Sequence, residues 1–175
     1  PVALTGTGGR IETVGTSGNI TINGVVSGTQ GLTKAGTGTL TLGGSSANTY
    51  SGSTVLSGGT VAMNKTAGQN AITSTTLSVG TGATLRNDAN DQMPNTINIT
   101  LTGTGTYNLN GKSEIIGSMT AGSSDGTTLV DIGSGSLTVN APASSPTHFY
   151  GRIIGTGGTL IKNGANEFRT YNTNN

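Results

Sequence analysis

Short runs in this chain alternate between apolar and polar residues, and Gly, Asn and Ser separate one run from the next. Residues 31–59 show the pattern most clearly, because Leu40 and Leu42 alternate with threonines over residues 39–42. Alternation of this period gives a strand one aliphatic face and one hydroxyl face. The glycine pair at 43–44 then suits a tight corner. The pattern predicts short, half-buried strands joined by corners, with no room for a helix.

The same alternation returns along the rest of the chain. It places Leu40, Leu42, Ile97, Ile99, Leu137 and Val139 on the inner side of their strands. Strands of this length between Gly-rich corners favour an all-β coil of three short strands, repeated so that each coil packs on the next. If a coil takes roughly twenty residues, about eight or nine coils stack at the parallel-strand spacing. An antiparallel sandwich is the structural alternative, because regularly spaced short strands also characterise that fold.

Two stretches of the chain repeat each other. Residues 28–36 read GTQGLTKAG and residues 155–164 read GTGGTLIKNG, so a Gly-rich turn and then a lysine return in the same order. Aligning Lys34 with Lys162 places the copies 128 residues apart, with one residue inserted after the glycines. Internal similarity of this kind is the mark of a repeat architecture and favours the stacked coil.

The first copy is similar to the autotransporter-associated β-strand repeat of bacterial passenger domains. That pattern runs roughly G-x-I-S-G-x-G-x-L-x-K-x-G-x-G-T-L-x-L-x-G, then N-T-Y-x-G-x-T, and residues 24–61 follow it nearly throughout. The matching residues are Lys34, Gly38, Thr39, Leu40, Asn48, Tyr50, Gly52 and the Gly-Gly-Thr-Val end at 58–61. The second copy departs from the pattern, because Asn166 replaces a glycine and Phe168 replaces the leucine.

The resemblance implies a right-handed parallel β-helix that is exported by a bacterium and displayed extracellularly, at the cell surface. It implies no catalytic residue. We therefore expect residues 1–175 to form a single β-helical repeat domain, with a strong repeat at 24–63 and a partial second repeat at 151–171. Neighbouring repeats that continue the stack are the expected partners.

Composition narrows the functional classes further. The chain has 31 glycines, 9% charged residues, a net charge of +1 and no cysteine. Its eight lysines and arginines are scattered, whereas binding to nucleic acid requires clustered positive charge. No apolar stretch reaches the roughly twenty residues of a membrane helix. We therefore expect no nucleic-acid partner, no membrane-spanning segment in this chain and no disulfide.

The side chains that could carry catalysis are few. His148 is the single histidine, and in a strand an outward-facing structural role is its ordinary one. Enzymes that cut polysaccharides work with paired carboxylates, for which Asp88, Asp91, Asp125 and Asp131 are the candidates. None of these acids falls at matching positions in the repeats. We therefore predict no catalytic residue and no cofactor.

The most polar stretch is residues 86–94, RNDANDQMP, which we expect to form a protruding loop. Its oxygen-bearing side chains at Asn87, Asp88, Asn90 and Asp91 offer the ligand type that Ca²⁺ prefers. The glycine-rich nonapeptide of calcium-binding β-rolls is absent, and solvation of a loop accounts for these residues without a metal. We therefore assign no metal site and keep calcium as an alternative.

These observations favour a non-enzymatic structural segment of a β-helical surface protein: a passenger stalk, an adhesin or a fibre. A stacked coil has an open edge at each end, and open edges pair with other chains. We predict self-association through Val2 and Leu4 at one end and Phe168 and Tyr171 at the other, with end-to-end filaments as one outcome.

Two functions of other classes stay open. The first is a β-helix that binds or cleaves polysaccharide, with a surface glycan as partner; the absence of tryptophan and the small number of aromatic residues weaken it. The second is ice binding through Thr-x-Thr pairs, such as those within residues 37–41 and 102–106. That function requires the pairs to recur once per coil, and the sequence does not show this spacing.

Overall fold

A computed structural model describes residues 1–15, 18–122, 127–141 and 147–171. All regular structure within these ranges is β-strand, as the alternation predicts. The strands are β1 Val2–Leu4, β2 Gly9–Glu12, β3 Ile20–Ile22, β4 Val26–Gly28, β5 Leu32–Ala35, β6 Thr39–Gly44, β7 Thr49–Tyr50, β8 Thr54–Leu56, β9 Gly59–Lys65, β10 Thr76–Val79, β11 Ala83–Asn87, β12 Asn98–Leu101, β13 Thr106–Asn108, β14 Ser113–Ile116, β15 Ser118–Ala121, β16 Leu129–Asp131, β17 Ser136–Val139, β18 Thr147–Phe149, β19 Arg152–Ile154, β20 Thr159–Lys162 and β21 Phe168–Thr170.

The strands wind into a parallel β-solenoid with three faces. The first face is the eight-stranded sheet β2-β5-β8-β10-β12-β15-β18-β21, and the second is the seven-stranded sheet β19-β16-β13-β11-β9-β6-β3. The third face consists of two three-stranded sheets, β1-β4-β7 and β14-β17-β20. Every strand pair is parallel, for example β6 with β9 and β10 with β12. This pairing excludes the antiparallel sandwich and confirms the stacked coil.

The coils are longer than the sequence suggested. Paired residues in neighbouring coils are mostly 20 to 24 positions apart, as in Ile20 with Leu40 and Val61 with Leu85, and 28 apart between Ala121 and Phe149. The chain therefore completes about seven turns. The predicted coil length of roughly twenty residues was too short, because the connections between the short strands take up more residues than the alternating runs reveal.

The core is a continuous column inside the coil. The six aliphatic residues predicted to face inward are all at most 1% exposed: Leu40, Leu42, Ile97, Ile99, Leu137 and Val139. In β17 the leucine and valine are buried while Ser136 and Thr138 are half-buried on the outer side. A fully buried Leu or Ile contributes about 1.5–3 kcal/mol relative to an exposed one. Stability thus depends on contacts between successive coils.

The outer surface of the second face carries a column of threonines. Parallel registers place Thr39 beside Thr60, Thr60 beside Thr84 and Thr84 beside Thr106. The next outward column is mixed, since Thr41 is followed by Ala62 and Arg86. Threonines therefore line up singly, and the paired ranks that the ice-binding alternative requires are interrupted.

No helix in the described residues is long and apolar enough to cross a membrane.

Candidate interaction surfaces

A buried lysine closes one corner of the solenoid. Lys34 lies in β5, fully covered, and its Nζ donates hydrogen bonds to the carbonyl oxygens of Ala35 at 2.9 Å, Gly36 at 3.0 Å and Gly58 at 3.1 Å. Gly58 belongs to the following coil. Burial lowers the pKa of Lys34, and the nearby carboxylate of Glu12 opposes this effect. The three carbonyl groups use all the hydrogens of the ammonium, so this corner is fixed to the coil that covers it.

The second copy of the motif builds the same corner on another face. Lys162 in β20 donates to the carbonyl oxygens of Asn163 at 2.7 Å and Gly164 at 2.8 Å, and it is exposed. Gly36 and Gly164 have φ angles of +76° and +77°, a region that disfavours any other residue. Lys34 stands on the first face and Lys162 on the third. The repeated sequence therefore encodes a local corner rather than a fixed place in the coil.

Both ends of the described solenoid display apolar side chains. At one end Ile20 in β3 is 37% exposed, and at the other Leu160 and Ile161 in β20 are 38% and 43% exposed. Ile154 in β19 is also exposed, and it lines an open groove of about 310 Å³ with Ile132, Ile153, Gly155, Gly158 and Leu160. These strands are the outermost in their sheets. The two ends are thus the apolar surfaces on which a further strand could pair.

The four residues predicted to mediate self-association do lie at opposite ends of the solenoid. Val2 and Tyr171 are each 36% exposed, whereas Leu4 is buried in its own coil. Phe168 is partly buried against the core, with its ring 6.4 Å from that of Phe149. Their role in association stays a prediction. Leu160 and Ile161 are more exposed than any of the four. The sequence did contain a signal for this exposed pair: two apolar residues are adjacent in one strand, and one of two adjacent strand residues must face outward.

The last coils gather an aromatic cluster on the first face. The rings of Tyr150 and Tyr171 stack with centroids 4.7 Å apart, and His148 meets Tyr171 edge-on at 5.4 Å. These contacts give the single histidine a packing role. Arg169 lies in β21, two residues before Tyr171, and forms an ion pair with Glu167. Parallel pairing of β18 with β21 in successive coils brings Tyr171 to His148 and Tyr150.

Residues 86–94 do not protrude, contrary to the sequence-based prediction. Asn87 and Gln92 are fully buried, and Met93 is 2% exposed. Arg86 Nε donates to Asp88 Oδ1 at 2.7 Å, and the backbone N–H of Ser113 donates to Asn90 Oδ1 at 2.9 Å. Residues 86–87 are the end of β11 on the second face, and residues 88–94 form an irregular part of the wall between β11 and β12. A high density of polar residues predicts contact with solvent, whereas Arg86, Asp88 and Asn90 make hydrogen bonds within the wall.

The acidic candidates do not converge in the described ranges. Asp88 is paired with Arg86, and Asp131 Oδ1 accepts the backbone N–H of Gly133 at 2.9 Å. Asp125 lies outside the described residues. Within those that are described, no three His, Cys, Asp or Glu residues are close enough to share a metal ion. Of the four residues in the calcium alternative, Asp88 and Asn90 have oxygens that accept hydrogen bonds from the protein's own donors.

One buried acid escaped the sequence analysis. Glu114 in β14 is 1% exposed, and its Oε2 accepts the backbone N–H of Gln92 and the Nδ2–H of Asn87, both at 2.8 Å. Burial raises its pKa from 4.5 to about 7; the donors of Gln92 and Asn87 and the backbone N–H of Ile115 oppose this effect, and the charge of Asp91 adds to it. Alternation carried the signal, since Ile116 faces inward and so must the residue two positions before it.

Comparison with known proteins identifies the class of repeat to which one segment of this solenoid is similar. Residues 32–63, which contain the Lys34 corner, match the family Passenger-associated-transport-repeat. This confirms the resemblance to an autotransporter passenger repeat. The chain is also similar to the Adhesin BmaC autotransporter of Brucella suis biovar 1 (strain 1330), with 55% identity over 51 residues. That match covers 29% of this chain and 1% of the Brucella protein. No solved structure matches the chain.

Proposed function

We propose that this chain is a non-enzymatic structural segment of an exported, cell-surface protein of the adhesin type. The observation that carries the proposal is the passenger repeat itself, folded here as coils of a parallel solenoid. The similarity to an autotransporter adhesin supports the extracellular location. In such a role the chain holds other parts of the protein away from the cell, and its own surface performs no reaction.

The use of polar side chains supports a structural role. Lys34 and Lys65 are buried and donate to main-chain carbonyl groups, and Asn48 binds main-chain groups in both neighbouring coils. Chemistry on a substrate requires reactive groups that converge on an accessible space. Here these buried polar side chains bind the main chain of neighbouring coils and do not converge on an accessible space.

The location can be tested on the parent protein in its own cells. An antibody raised against this chain should label intact bacteria, and protease added outside should remove the label. Labelling that appears only after lysis contradicts the proposal. A non-enzymatic role further requires that the purified chain releases no reducing ends from surface polysaccharides.

The apolar edge strands support a finer proposal, in which another coil packs on the end formed by β19, β20 and β21. Replacing Leu160 and Ile161 by lysine places charge on this surface and should abolish any concentration-dependent association of the purified chain. Val55→Lys is the matched control, because Val55 is 36% exposed on an inner strand, β8. Light scattering and electron micrographs give the readout. A chain that is monomeric at every concentration contradicts stacking by this chain alone.

Glycan binding is a second candidate, favoured by the aromatic cluster of His148, Tyr150 and Tyr171. Sugar rings pack on aromatic faces, and the charged pair of Arg169 and Glu167 lies next to this cluster. Titration with oligosaccharides of surface polysaccharides tests it. Tyr171→Ala should remove binding and Tyr171→Phe should retain it, because the phenylalanine keeps the ring. Equal affinity of both variants for the oligosaccharides contradicts the candidate.

A further inference from the structure

Side chains bridge neighbouring coils on the third face, at the two borders of the segment between β7 and β14 in which regular strand pairing is interrupted. The backbone N–H of Val26 donates to Asn48 Oδ1 at 2.8 Å, and the backbone N–H of Gln92 donates to Glu114 Oε2 at 2.8 Å. In each case a side-chain oxygen 22 positions further along the chain replaces a carbonyl of the next coil. The two bridges have the same form, but the second one uses an ionisable group.

The two bridges differ in how completely their atoms are paired. Asn48 also donates its Nδ2–H to the carbonyl oxygen of Ala71 at 2.6 Å, so both ends of its amide are used. Around the second bridge, three buried polar atoms of the described residues have no partner: Glu114 Oε1, Asn87 Oδ1 and the hydroxyl of Tyr107. Such atoms are rare in folded proteins, because each has lost its hydrogen bond to water.

Two of these three atoms belong to groups that are already joined. Asn87 Nδ2 donates to Glu114 Oε2 at 2.8 Å. The two unpaired atoms, Asn87 Oδ1 and Glu114 Oε1, are the oxygen of that amide and the other oxygen of that carboxyl group. Both are acceptors while Glu114 is ionised, and two acceptors cannot satisfy each other. A single proton on Glu114 Oε1 turns one of them into a donor.

We propose that Glu114 is carried as the neutral acid in the folded solenoid and that its Oε1–H donates to Asn87 Oδ1. A carboxylic acid and a primary amide have complementary donors and acceptors, so the pair is then held at two points. The site is a proton-dependent link between two successive coils. When the proton is present, a second hydrogen bond joins the coil of Asn87 to the coil of Glu114.

The surrounding groups favour the neutral acid. Asp91 lies near enough to add negative charge, and Tyr107 is an uncharged phenol whose own pKa is raised by burial and by Glu114. The guanidinium of Arg86 is engaged by Asp88. From the following coil, Leu137 is the registered neighbour of Glu114 and brings no charge. Among the described residues, no ion pair involves Glu114.

The direction of the pH dependence follows from the raised pKa. The folded chain keeps a proton that the unfolded chain releases near pH 4.5, its ordinary value, since the pKa in the fold is about 7. The stabilisation is therefore complete below about pH 4.5 and is lost as the pH rises through about 7. The Asn48 bridge contains no ionisable group and should not respond.

Glu114→Gln is the decisive variant, because glutamine has the shape and the donor of the neutral acid. Wild type should lose resistance to urea between pH 5 and pH 8, and the variant should lose much less. In the same range, protection of the Gln92 amide from hydrogen exchange should fall in wild type and stay constant in the variant. The Val26 amide is the internal control in both proteins, since its acceptor is Asn48.

A measurement on the unaltered chain keeps the proposal testable if the variant fails to fold. NMR of wild type labelled at the glutamate side chains should show one carboxyl group titrating near pH 7. A Glu114 signal that titrates near pH 4.5 overturns the proposal, and so does an equal pH dependence in wild type and Glu114→Gln. Stabilisation of wild type by Na⁺ or Ca²⁺ at constant pH, absent from the variant, also overturns it, because the oxygens then hold a cation.

Discussion

The two lysine corners show how the same local sequence behaves inside the solenoid and at its edge. At Lys34 the ammonium binds two carbonyl groups of its own corner and a third from the following coil, that of Gly58. At Lys162 the two local bonds are present and the lysine is exposed. The local geometry is thus independent of the next coil, whereas the burial of the lysine depends on it.

The glycines of these corners lie against the preceding coil and not against the following one. A Cβ added to Gly36 would lie 1.9 Å from the carbonyl oxygen of Thr13, and one added to Gly164 would lie 1.9 Å from that of Asn140. Thr13 and Asn140 both belong to the preceding coil. Glycine therefore fits each corner to the coil already formed, and lysine fits it to the coil that follows. Three pairs of substitutions test this division.

The largest difference is expected between Leu40→Ala and Leu160→Ala. Leu40 is fully buried between coils, so truncation leaves a cavity and should cost about 2–5 kcal/mol. Leu160 occupies an inward position but is 38% exposed at the edge, and its truncation should cost less than about 1 kcal/mol. Urea denaturation measures both. Equal losses would mean that the edge is covered in solution.

The second pair is Gly36→Ala and Gly164→Ala, for which we expect similar effects. Each alanine must adopt a left-handed backbone, which costs about 1–2 kcal/mol, and must also move a backbone carbonyl of the preceding coil. Midpoints of urea denaturation and hydrogen exchange at the affected corner give the readout. A harmless Gly164→Ala alongside a damaging Gly36→Ala contradicts the view that both corners rest on a preceding coil.

The third pair is Lys34→Met and Lys162→Met, for which we expect a smaller difference than for the two leucines. Methionine fills the space of lysine but leaves the buried carbonyl groups at Lys34 without a donor, which should cost about 1–3 kcal/mol. The carbonyl groups at Lys162 are open to water, so that variant should stay within about 0.5 kcal/mol of wild type. If concentrated protein stacks over β20, the cost of Lys162→Met should rise with concentration.

Particular residues show where sequence reasoning succeeded. Alternation placed Leu137 and Val139 in the core, and the motif around Lys34 pointed to the correct repeat. The sequence-based prediction was wrong for residues 86–94. A run of polar residues has the same composition whether its hydrogen bonds are made to water or to other residues in the wall of a coil. Glu114 was missed although alternation with Ile116 places it inward, because a lone acid in a strand carries no mark of the partners that will surround it.

The sequence by itself determined the strands, the corners and the inward aliphatic column, because strand alternation and left-handed glycines are local properties of the chain. Only the tertiary structure decided which residues of different coils meet. It set the coil length, the different faces of the two lysine corners, the aromatic cluster and the pairing of Asn87 with Glu114. The reason is physical: these contacts join residues some 20 to 28 positions apart, and their register accumulates from every connection between them.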